Sequence, residues 1–80
     1  MIFSAEIRAG RALLGWTQLQ LAQAASVGVA TVRRLEAASS KVRGSSHALW
    51  KIQTALEDGG VEFIPAQAGK GPGVRLQKGA

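Results

Sequence analysis

Ten Lys and Arg side chains face five acidic ones in this 80-residue chain, and their spacing limits the chemistry available. The acids are Glu6, Glu36, Glu57, Asp58 and Glu62, and only the last three fall close together along the chain. His47 is the single histidine, and there is no cysteine. A zinc or two-metal centre needs several such ligands converging on one point, and neither set exists here. No nucleophile stands in a pattern with a base. The expectation is therefore a protein that is not an enzyme and that uses no cofactor and no metal. What remains is recognition by charge. The formal net charge of +5 points to a polyanionic partner. Arg33, Arg34, Lys41, Arg43 and Lys51 stand against Glu36 alone between positions 33 and 51, so most of the surplus lies in one stretch.

The length gives one small domain with a single core. A cysteine-free chain of this size fits a reducing cytoplasm, the expected location. No segment approaches the ~20 apolar residues of a membrane span, and no basic segment precedes an apolar run at the N-terminus. Neither a membrane partner nor a signal peptide is expected.

Four helices must position the charges. The first is expected at Ala5–Leu14, with Ser4 as N-cap, Glu6 in its first turn and Gly15 as the left-handed residue that ends it. Thr17 caps a second, Gln18–Ala25, only about two turns long and unable to persist alone in water. After Ser26, Val27 and Gly28, a third runs over Val29–Ala37 with Val32 and Leu35 facing inward. Residues 38–46 read as a loop. Ser45 or Ser46 then caps a fourth helix to about Asp58, with Leu49, Ile52 and Leu56 as its buried stripe and Gly59-Gly60 as its stop. The period then changes to alternation, which gives strands at Val61–Ile64 and Gly73–Leu76. Residues 1–60 form the helical unit, and 61–80 form a β tail that pairs within the chain or across two chains.

The second and third helices, separated by three residues, are a helix-turn-helix candidate. Ala22 is small where the two would cross, Val27 can plug the turn into the core, and Val32 and Leu35 anchor the third helix. Spacing alone leaves other small helical pairs open.

The residues go further. Gly-Trp-Thr-Gln-Leu-Gln-Leu-Ala from Gly15, with Val27, Thr31-Val32 and Arg34-Leu35-Glu36, resembles the XRE family of lambdoid phage repressor and Cro-like DNA-binding domains. The likeness covers about Ile7–Leu56. The tail, Gly-Val-Glu-Phe-Ile-Pro and then Gly-Pro-Gly-Val-Arg-Leu, is similar to that of small bacterial members. This implies a mainly α, lambda-repressor-like bundle of four helices with a short two-stranded β element. It also implies a sequence-specific transcriptional regulator, a repressor that occupies an operator on double-stranded DNA as a homodimer.

Site residues follow from the resemblance. Gln18, with Thr17 beside it, matches a phosphate contact at a helix N-terminus. Val29, Ala30 and Arg34 match positions facing base edges, with Arg33 next to them. Val29 and Ala30 suit thymine methyls, while an Arg can clamp guanine in two bonds. Arg11 and Glu36 match a basic–acidic pair that joins the first helix to the end of the third. Lys41 and Arg43 add phosphate contacts from the loop, and so a strong salt dependence. Two departures concern the turn: the family's usual Gly is Ser26 here, and a polar N-cap residue is replaced by Gly28.

Plainer readings stand beside these. Adjacent arginines on a helix are often solvated surface. Trp16 is expected in the core, Trp50 as a dimer contact or a partly exposed cover, and His47 as a first-turn residue without chemistry. Val61, Phe63, Ile64, Val74 and Leu76 are the expected dimer interface, because a reader of two half-sites needs a second copy. One alternative is the antitoxin of a toxin–antitoxin pair, whose tail holds a toxin partner. The other is a protein-interaction adaptor, supported by the apolar Val29-Ala30 tip.

Overall fold

The computed structural model of the chain describes residues 4–37 and 46–77. In order, the elements are α1 (Ser4–Leu14), α2 (Gln18–Ala25), α3 (Val29–Ala37), α4 (Ser46–Gly59), β1 (Val61–Ile64) and β2 (Gly73–Leu76). The architecture is mainly helical with a short antiparallel ribbon, as the sequence led us to expect. The small differences lie at helix ends. Ser4, expected as the residue before α1, is its first residue and is buried. Ser46 lies inside α4, and Gly59 is its last residue rather than its stop.

Backbone chemistry sets the two turns that frame α2. Gly15 is left-handed at φ 68, and the N–H groups of Gly15 and Trp16 donate to Ala12 and Arg11 carbonyls at 3.1 and 3.0 Å. That crossed pair satisfies the last carbonyls of α1. The same device closes α2, where Ser26 and Val27 donate to Gln23 and Ala22 at 3.3 and 3.0 Å. Here the left-handed residue is Ser26, at φ 56. An L side chain in this conformation costs roughly 1–2 kcal/mol, which glycine avoids, offset in part by the greater entropy it gives the unfolded chain. Ser26→Gly is expected to raise stability by about 0.5–1 kcal/mol, read as a higher melting temperature. A lower one refutes the strain assignment.

Every helix contributes to one core. Ile7, Leu21, Val32, Leu35, Ile52 and Leu56 are fully buried, and Ala22 and Ala25 are the small residues that let α2 lie close to its neighbours. Leu49, expected in the buried stripe, is only half-buried against this core. Trp16 also packs on it and seats against the end of α4. A Cβ added at Gly59 would stand 2.9 Å from the Trp16 ring and 2.8 Å from Leu14. Trp50 is 63% exposed and stacks on His47 with ring centroids 6.4 Å apart.

The two strands pair within the chain, with Val61 opposite Leu76, Glu62 opposite Arg75, Phe63 opposite Val74 and Ile64 opposite Gly73. Directly opposed residues share a face, and the faces alternate along each strand. Val61, Phe63, Val74 and Leu76 therefore lie on the inner side, and Glu62, Ile64 and Arg75 on the outer. Val61 is fully buried in the helical core, beside Gly10 and Leu56. Phe63 and Val74 pack on that core, while Leu76 remains 45% exposed. On the outer face Arg75 makes two bonds to Glu62, at 3.1 and 2.9 Å. These bonds hold the Glu62 carboxyl below its ordinary range.

Candidate nucleic-acid interface

The site begins at the start of α2. Thr17 Oγ1 accepts the Gln20 N–H at 3.1 Å, and Gln20 Oε1 accepts the Thr17 N–H at 2.8 Å. This reciprocal capping box fixes the first turn and satisfies two donors. The other N–H groups at the helix start have no partner inside the helix and offer an anion-binding end. Gln18 is the first helical residue there.

A buried carboxylate sits behind that helix start. Glu36, near the end of α3, is 4% exposed. Arg11 donates to it twice, from Nε to Oε2 at 2.8 Å and from Nη2 to Oε1 at 3.0 Å. The expected Arg11–Glu36 pair is thus formed. Hydrogen bonding to Glu36 raises the Arg11 pKa; burial opposes this, and the Glu36 charge adds to it. Arg11 Nη1 also donates to the Trp16 carbonyl at 3.0 Å. One guanidinium therefore joins α1, the α1–α2 turn and α3.

Two partners of Glu36 were not foreseen. Gln18 Nε2 donates to Glu36 Oε1 at 3.1 Å, so the amide expected to face a phosphate already gives one N–H to an internal carboxylate. Arg8 Nη1 donates to the Glu36 carbonyl. The only sequence signal for Arg8 is its position three residues before Arg11, which puts both on one side of α1.

The recognition face of α3 follows from its periodicity. Val32, Leu35 and Glu36 are buried, and Ala30, Arg33, Arg34 and Ala37 are exposed at i, i+3, i+4 and i+7. Neither arginine forms an ion pair among the described residues. Val29, expected to face bases, is half-buried and packs on the core. The apolar tip thus narrows to Ala30. Thr31 is half-buried, and its N–H and that of Val32 donate to the Gly28 carbonyl at 3.0 and 3.3 Å. Gly28 supplies backbone only at this helix start. Lys51 is half-buried on α4, whereas Lys41 and Arg43 lie outside the described residues.

Among the described residues no group of His, Cys, Asp or Glu could hold a metal, and no helix is long and apolar enough to cross a membrane. A family model described as helix-turn-helix matches residues 7–56, which spans α2, α3 and the Arg11–Glu36 pair. Comparison with curated proteins finds no match. That matched stretch, with its capped second helix and open third helix, makes the chain a member of the XRE-type helix-turn-helix family, a family of DNA-binding transcriptional regulators.

Proposed function

We propose that the chain is a repressor that occupies its operator as a homodimer and excludes polymerase by position. The observation that carries this reading is the exposed Ala30–Arg33–Arg34–Ala37 stripe on α3 beside the capped start of α2. Two small residues let the helix approach the floor of a major groove, and two guanidinium groups reach bases and phosphates from it. Thr17 and Gln18 fix register on the backbone, joined by Lys41 and Arg43. Val29 supports the helix start from behind. The adaptor alternative has a smaller apolar tip to work with, since Val29 is half-buried against the core.

The homodimer rests on a smaller set of residues than the sequence offered. Val61, Phe63 and Val74 serve the chain's own core, which leaves Leu76, Ile64 and the ribbon's open edges to meet a second copy. A toxin held on the same tail remains a competing occupant of those residues, with no feature favouring it.

Selection from random duplex DNA at low salt tests both parts together. The expected result is an enriched, two-fold symmetric site with half-sites about 10 base pairs apart. Enrichment of a single unrepeated half-site overturns the dimer. No enrichment at all overturns operator reading.

A further inference from the structure

We propose that Glu36 is a positioning residue for DNA binding. Through its bond to Gln18 it fixes that amide at the start of α2, with the second N–H held outward for a backbone phosphate. The proposal rests on the reading of Gln18 as a phosphate contact.

Three observations carry it. Glu36 is itself immobilised, with its carboxylate held by Arg11 and its carbonyl by Arg8. Gln18 is half-buried, and its Nε2 lies 3.1 Å from Glu36 Oε1. Among the described residues the Gln18 side chain has no hydrogen-bond partner other than Glu36. A glutamine amide has two N–H groups diverging in one plane, and neither end is favoured when the side chain is free in water. A carboxylate accepts only from the nitrogen. It therefore removes the flip and leaves the second N–H free for another acceptor. The same carboxylate would repel a phosphate if exposed, but burial and two arginines screen it. Glu36 thus acts on DNA through Gln18 without touching DNA.

A double-mutant cycle separates this role from a merely structural one. Removing Glu36 alone strands Arg11, so the clamp is removed as a pair, Arg11→Met with Glu36→Leu, which leaves net charge unchanged. Wild type, Gln18→Ala, the pair variant and the triple variant are titrated against a labelled mixed-sequence duplex of about 20 base pairs at about 50 mM salt. Thermal melts confirm that each is folded. Gln18→Ala is expected to weaken binding about 5–10-fold. The pair variant should lose a similar factor, and the triple no more than about 2-fold beyond Gln18→Ala. If the pair replacement costs as much in the Gln18→Ala background as in wild type, or costs nothing, Glu36 does not position Gln18. If Gln18→Ala binds like wild type, the phosphate role of Gln18 fails instead. Nitrogen relaxation of the Gln18 side-chain amide in the unmodified protein decides independently of variant folding. An order parameter near that of the rigid backbone supports the clamp, and one below about 0.6 overturns it.

Discussion

Glu36→Ala is expected to destabilise the fold by about 3 kcal/mol, a loss comparable to truncating a fully buried core leucine. The reason lies in what is left behind. Arg11 has 24% of its side chain exposed, and removing the carboxylate leaves a positive charge held among α1, α3 and the Trp16 carbonyl without its anion. Single-sided removal of a buried pair typically costs ~3–5 kcal/mol, and partial solvation of Arg11 puts this site at the lower end. Gln18 loses an acceptor at the same time. Replacing both partners by apolar residues should be far less costly, within about 1 kcal/mol of wild type, because desolvating two charges opposes much of their attraction. Urea denaturation of the single and paired variants measures both. A loss below about 1 kcal/mol for Glu36→Ala means that water solvates Arg11 well enough to compensate, and the pair is then not what ties α1 to α3.

The pair was legible because its two residues stand at fixed places in a recognisable pattern, and the helix boundaries were legible because strong local signals coincide. Thr17 has a hydroxyl at an N-cap with Gln20 three residues on, and Gly15 permits a left-handed turn. Where the family's usual Gly is replaced, the turn keeps its form and Ser26 itself takes the left-handed conformation. What the sequence hid depends on tertiary geometry. Val29 reads as the exposed tip of a recognition helix, yet its β-branched bulk, three residues before Val32, is drawn toward the core. Gln18 reads as a free amide because its acceptor, Glu36, is 18 positions away. The ribbon's alternating apolar residues were consistent with an interface between chains. The register, with Val61 opposite Leu76 and Phe63 opposite Val74, turns that face onto the chain's own helices. No local rule distinguishes an apolar face that covers a core from one that covers a partner.

Arg34→Ala and Arg33→Ala are expected to have different effects on DNA binding, although the residues are adjacent. Consecutive helical positions differ by about 100°, so both side chains cannot point at the groove floor together. Arg34 lies four residues after Ala30 and one row along the same face, directly above a side chain too short to keep the helix away from the bases. Arg33, three residues after Ala30, lies to the other side of that row, and in the proposed docking it would meet phosphates at the groove wall. Loss of Arg34 should therefore relax preference at one base pair of each half-site, by ~1–3 kcal/mol of discrimination per site, with little change in the salt dependence. Loss of Arg33 should weaken every sequence nearly equally and reduce the slope of log affinity against log salt by ~0.9 for each contact removed. Random-sequence selection with both variants and a salt titration on one duplex distinguish the two. Reversed roles would show that α3 lies in the groove rotated about its axis. Unchanged preference in both variants would mean that neither guanidinium reads bases. The remaining side chains on that stripe, Ala30 and Ala37, offer only methyl contacts, too little for sequence-specific repression without a deformable site.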